Sequence, residues 1–126
     1  MNRTAVAVII ILLVTAFCTC EYLYVAKTVD EYIARIDEIE ETYKSGDFEK
    51  ATKLANNADI DWESRLEYVD MLLYHDYVNE VGVNFASIAK YVEYKEDAEV
   101  FANCEMNRRE LQSLIENEKP SLANII

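Results

Sequence analysis

The chain has 126 residues, enough for one domain, and carries 24 Asp and Glu against 12 Lys and Arg, a net charge of −12. So acidic a chain excludes a reader of the nucleic-acid backbone and a protein held by anionic lipid headgroups, since both need a basic surface. A hydrophobic content of 52% excludes disorder, and 2 glycines with 1 proline are too few for the turns of an all-β fold, so the composition predicts helices.

The first element is apolar. Thr4 to Cys20 carries no charge, and with "EYLYV" the stretch reaches Val25, long enough for a hydrocarbon core of ~30 Å. Tyr22 and Tyr24 suit the aromatic belt of a membrane boundary. A lipidated cysteine needs a small residue before it and usually a Leu further up. Cys18 follows Thr15-Ala16-Phe17 and Cys20 follows Phe17-Cys18-Thr19, so lipidation is not expected. Ala16 and Cys18, or Cys18 and Cys20, make poor small-residue pairs for signal cleavage. Residues 1–26 are therefore expected to stay as a single-pass anchor in the cell membrane. Lys and Arg near its two ends are almost balanced, but the short basic head with Arg3 favours an inside terminus, which puts residues 27–126 outside the cytoplasm. Three cysteines at 18, 20 and 104, without a C-x-x-C spacing, form neither a disulfide framework nor a zinc knuckle. Cys18 and Cys20 read as small apolar residues in lipid and Cys104 as a core thiol. A Cys20–Cys20 bridge between two copies is the alternative.

The next element is helical. Val25, Val29, Tyr32, Ile36, Ile39 and Tyr43 recur in steps of four and three, with Ile33 widening the stripe. Asp30, Glu31, Asp37, Glu38 and Glu41 fill the other face, as a solvated surface rather than a calcium loop, which needs its glycine turn and ligand spacing. No Gly or Pro separates Cys20 from Tyr43, so the anchor is expected to run straight into this helix. "YKSGDF" breaks it: Gly46 suits the left-handed position past a helix end, and Asp47 can cap the next helix. That helix buries Phe48, Ala51, Leu54, Ala55 and Ala58. The turn "YKSGDFEKA" resembles that of a tetratricopeptide repeat, but no second copy follows, which leaves an antiparallel helix hairpin.

"NNADID" is expected to form a loop before a long helix starting near Trp62. Its stripe is Met71, Tyr74, Val78, Val81, Phe85, Ile88 and Val92. Gly82, inside it, marks a kink, a close helix approach or a break. "YKEDAE" reads as a turn with Asp97 as cap. The last helix carries Phe101, Cys104, Leu111, Leu114 and Ile115, with Arg108 on the same stripe, where it can reach an acid on a neighbour. Pro120 follows that helix.

Chemistry-bearing motifs are missing: two isolated glycines make no phosphate loop, and neither HExxH nor G-x-S-x-G occurs. The single histidine, His75, could pair with Asp70, Asp76 or Asn79 as a base or metal ligand. Asp76 is adjacent and points elsewhere, and one histidine without a second His or Cys makes a weak metal site. His75 is read as a boundary residue of the bundle. No catalytic, cofactor-binding or metal-binding residue is assigned. Among nine tyrosines, Tyr77, Tyr91 and Tyr94 either roof the core or offer an interface.

The order of an apolar segment, an acidic helix, "GDFEKA", Trp62, "HDYVNEV" leading into an amphipathic helix and a terminal "SLANII" resembles the family called domain of unknown function 4363. That resemblance covers essentially the whole chain. It implies a small membrane-associated helical protein of Gram-positive bacteria, a possible integral-membrane partner, and no known activity. The expected fold is all-α: one transmembrane helix followed by a bundle of about four amphipathic helices. The expected role is contact with another protein outside the cytoplasm, with no enzymatic chemistry. The alternative is a secreted or tethered domain binding a small ligand or cation.

Overall fold

A computed structural model describes residues 2–69 and 75–118, and among these every regular element is an α-helix. The four are α1 (Arg3–Lys44), α2 (Phe48–Val69), α3 (His75–Glu93) and α4 (Asp97–Glu118). The apolar segment and the first amphipathic segment are one helix of 42 residues. Nothing in its sequence can interrupt it, because the first glycine is Gly46 and the sole proline is Pro120. Asn2 caps its start by accepting a hydrogen bond from the Thr4 N–H, 3.2 Å.

Each helix packs against its neighbour in sequence, and α4 closes the ring against α1. Contacts between charged side chains show the directions. Arg35 meets Asp61 and Glu31 meets Arg65, so α1 and α2 are antiparallel. Tyr43 meets Asp97 and Asp37 meets Arg108, so α1 and α4 are antiparallel too. The stripe expected in α1 is buried from Val25 to Tyr43. Val78, Val81, Phe85, Ile88 and Val92 of α3 and Cys104, Leu111 and Leu114 of α4 are buried as their spacing requires. Met71 and Tyr74 lie outside the described residues.

The second connection differs from expectation. Asn56 to Asp61 is no loop; it is the middle of α2, which continues to Val69. The tract is polar but contains no helix breaker. Ala55, Ala58 and Trp62 extend the buried stripe begun by Ala51, while Asn56, Asn57, Ile60 and Asp61 face solvent. Polarity here marks the outer face of a helix, not its end. Trp62 thus belongs to α2, and the single long helix expected from Trp62 to Val92 is two helices.

Trp62 is 1% exposed and forms the centre of the core. Tyr32 of α1 stands edge-on to it at 4.9 Å and to Phe85 of α3 at 5.6 Å. The indole Nε1–H donates to the Val78 carbonyl at 3.2 Å, which satisfies its one polar group. Gly82 is the close-approach site: a Cβ there would stand 3.4 Å from Trp62 Cδ1 and 3.5 Å from Nε1. Those are ordinary contacts, so a methyl fits. Gly46 is the opposite case. Its φ of 87° lies in the left-handed region, where its N–H closes the end of α1 on the Tyr43 carbonyl at 3.1 Å.

The two glycines should therefore respond with opposite signs. Gly82→Ala should stabilise the bundle by up to ~1 kcal/mol through helix propensity, and Gly46→Ala should destabilise it by ~1–2 kcal/mol through left-handed strain. Urea denaturation of the full chain in detergent, followed by circular dichroism, measures both; equal effects would contradict the geometry.

Candidate functional site

Three regions of the molecule carry features beyond core packing. The first is the N-terminal half of α1. Val8 to Val14 and Phe17 are 50–66% exposed, and no described residue before Glu21 is shielded by the bundle. Two of its hydroxyls bond within the helix: Thr15 Oγ1 donates to the Ile11 carbonyl and Thr19 Oγ1 to the Thr15 carbonyl, both at 2.8 Å. This is the one described helix long and apolar enough to cross a membrane, and a signal sequence meets the same criteria. Exposure gives way to burial over a few residues. Glu21 and Tyr22 are half-buried and Val25 is 2% exposed, so the bundle begins about 8 Å along the axis from Cys20. Cys18 and Cys20 are exposed and Cys104 is buried, and all three are free thiols. Burial, with the Glu40 charge nearby, pushes the Cys104 thiol up to about 12, so it is not a thiolate nucleophile.

The second is the seam between α1 and α4. Arg108 reaches the acids of a neighbouring helix, as its place on the stripe suggested. Its Nε donates to Asp37 Oδ1 at 2.8 Å, one Nη to Glu40 and the other to Glu105 of its own helix at 3.3 Å. Lys44 adds a contact to Glu40 at 3.2 Å. The side chains of Arg108 and Glu40 are only 21% and 16% exposed. Burial alone would raise the Glu40 carboxyl, but the hydrogen bonds from Arg108 and Lys44 outweigh it and hold it below its ordinary value. Burial opposes the charge on Arg108, and its two acidic partners more than restore it. A shallow recess of about 240 Å³ lies between these residues. Its charges answer one another, so the seam is a clamp holding α4 on α1.

The third is the far end of the bundle, where the turns after α1 and α3 meet. The Tyr43 hydroxyl donates to Asp97 Oδ1. Burial and the Asp97 carboxylate push that phenol up to about 12, so it remains a donor. Phe48 and Phe101 pack edge-on against Tyr43 at 5.2 and 5.8 Å. Ammonium groups cover the two outer rings: Lys44 Nζ is 5.3 Å from the centre of Phe101, and Lys95 Nζ is 4.8 Å from that of Phe48. The cleft, about 270 Å³, is lined by Tyr43, Lys44, Gly46, Phe48, Asp97 and Phe101. Lys95 has a φ of 57°, the left-handed value that closes α3 through N–H bonds from Lys95 to the Val92 carbonyl and from Glu96 to the Tyr91 carbonyl. A lysine there costs ~1 kcal/mol relative to glycine, comparable with the ~0.5–1 kcal/mol of an exposed cation–ring contact.

His75 is the first described residue of α3, but its side chain, that of Asp76 and all of Asp70 lie outside the described residues, while Asn79 is exposed. Among the described residues no three His, Cys, Asp or Glu converge as metal ligands. Tyr91 is half-buried, Tyr94 is 68% exposed, and the Tyr77 side chain is not among those described. Three buried polar residues went unnoticed in the sequence, Thr28 at 5% exposed among them. Asn84 and Asn107 are 5% and 0% exposed, and the Asn107 amide has no hydrogen-bond partner among the described residues. The signal for Asn107 was its place between Cys104 and Leu111, on the apolar interval.

The family described as Domain of unknown function (DUF4363) matches residues 19–125. The chain belongs to that family. No curated protein and no solved structure matches it. In this DUF4363 protein the matched region takes in all four bundle-forming segments and leaves out most of the exposed apolar arm, so family membership attaches to the bundle.

The clamp predicts a pH dependence for the DUF4363 bundle. A carboxyl held below its ordinary value of 4.5 stabilises the fold fully above that value, and the gain is lost as pH falls through its folded value. Asp59 acts in the opposite sense, because burial and then the Glu63 charge raise its carboxyl, and acid relieves that penalty. Comparing two chains that both keep Asp59 isolates Glu40. Glu40→Gln should cost ~1–2 kcal/mol near pH 7. That difference should shrink between about pH 5 and pH 3. Urea midpoints across this range test it, and a gap independent of pH would refute the clamp.

Proposed function

We propose that the protein is a single-pass, membrane-tethered helical bundle that works by contact with another protein outside the cytoplasm, with residues 1–26 as the anchor and residues 27–126 as the bundle. The observation that carries this reading is the unbroken α1. One helix is apolar and exposed over its first half and buried in the bundle over its second half. A cleavable leader has no need of a continuous ladder into the folded domain. A flexible tether would interpose Gly or Ser, which this segment lacks. The continuous helix holds the bundle at a set height and angle, which suits a partner standing beside it in the membrane. In the clamp Arg108 and Lys44 are taken up by Asp37, Glu40 and Glu105, and among the described residues the distal cleft offers neither a paired base nor a nucleophile.

Two measurements test the reading. The intact mass of the protein from the membrane fraction should include the N-terminal residues, and a new terminus near Thr19 or Glu21 would overturn the anchor. A Gly-Ser insert between Cys20 and Glu21, ahead of the buried part of α1, should weaken cross-linking to membrane partners while membrane association and helix content stay unchanged. Undiminished cross-linking would mean that α1 acts only as a leash.

A further inference from the structure

The distal cleft has the chemistry of a receptor for one basic side chain. At about 270 Å³ it is smaller than the ~300–1,000 Å³ cavities that enclose drug-sized ligands, so its natural occupant is one side chain of a larger partner. Its walls are the half-buried rings of Phe48 and Phe101 with Tyr43 between them. These ring faces already draw cations, since Lys44 and Lys95 each lay an ammonium on one. Asp97 takes the Tyr43 hydroxyl on Oδ1, which leaves Oδ2 for a ligand. Lys95 is exposed and does not line the cleft; its ammonium rests on the Phe48 ring with no ion pair among the described residues, so a ligand can displace it from that ring. The chain's net charge of −12 adds a long-range pull on a basic partner.

From these contacts we infer that the cleft between Tyr43, Phe48, Phe101 and Asp97 binds an arginine side chain of a partner protein. The guanidinium stacks on a ring and donates to the Asp97 carboxylate, with the Lys95 ammonium moved aside. Arginine fits better than lysine because its planar, weakly hydrated head makes both contacts at once. This names a partner chemistry for the contact proposed above and rests on that reading for its setting. On the anchored chain the cleft stands roughly 36 Å along α1 from Cys20, within reach of the extracytoplasmic loops of a membrane protein.

The test uses the full chain, carrying 13C-labelled phenylalanine, in uncharged maltoside micelles. Blocked Gly-Arg-Gly and Gly-Leu-Gly peptides are titrated in turn and followed by NMR. The arginine peptide should give saturable shifts at Phe48 and Phe101 that the leucine peptide does not. Asp97→Asn, which keeps an acceptor for Tyr43, should weaken binding about tenfold, the loss of one charge-assisted contact. Lys95→Gly, which removes the internal competitor and relaxes the turn, should strengthen it. Equal shifts from both peptides, no saturable shift, or an Asp97→Asn chain that binds as well as the parent would each overturn the site. None of these readouts depends on a bilayer, so discovery of a cleaved N-terminus would remove the tether and leave this result standing.

Discussion

Everything in this molecule hangs on the backbone hydrogen-bond ladder of α1. Each N–H in the helix interior bonds the carbonyl four residues back, from the exposed apolar arm into the buried half, with no proline to remove a donor and no glycine to loosen a turn. The other three helices wrap only its second half. Tyr32, Ile36 and Ile39 of α1 are fully buried, and the α2 and α4 charges that meet α1 do so on either side of that stripe. α1 is at once the arm and a wall of the bundle, so the arm cannot be reoriented without melting a turn of helix.

The core is built around size differences. α2 contributes Ala51, Ala55 and Ala58 along one end of its buried stripe and Trp62 at the other. The alanines let helices approach; the tryptophan fills the wider end, where Tyr32 and Phe85 meet it and Gly82 lies beside its edge. Large against small is how facing helices interdigitate at crystal-like density. Against this, the buried amides of Asn84 and Asn107 contribute no packing advantage and carry a desolvation cost.

How much of this could be read in the sequence depended on whether the signal was periodic. The α1 stripe, the α3 stripe from Val78 to Val92, and Cys104, Leu111 and Leu114 of α4 were legible because burial repeats every three or four positions. Phe101 and Ile115, by contrast, are only half-buried, and Thr28, Asn84, Val100 and Asn107 are buried positions that the apolar spacing passed over. The helix end at Gly46 was legible as turn chemistry, and Asp47 caps α2 through the Lys50 N–H. The second turn falls where expected, but Asp97 is the first residue of α4 and binds Tyr43 instead of capping the helix. "NNADID" was misread because polarity was taken for a break, when only backbone chemistry ends a helix and none is present there. Arg108 was placed with an acid on a neighbour, yet which acids could not be read, since Asp37 and Glu40 are more than sixty residues away in sequence and are brought close only by the return of α4. The aromatic cluster of the far end was invisible for the same reason: Tyr43 and Phe48 are neighbours in sequence, but Phe101 and Asp97 join them from the other turn.

A rigid helical arm also ties elevation to bearing. Each residue of helix adds about 1.5 Å of rise and about 100° of rotation. Between Cys20 and Val25, where exposure turns to burial, a single residue gained or lost would barely alter how far the bundle stands from the end of the arm. It would swing a different face of the bundle toward whatever lies alongside. The length of that short segment is therefore a compass setting as much as a measure of reach, and a change of three or four residues would be gentler on a lateral neighbour than a change of one or two.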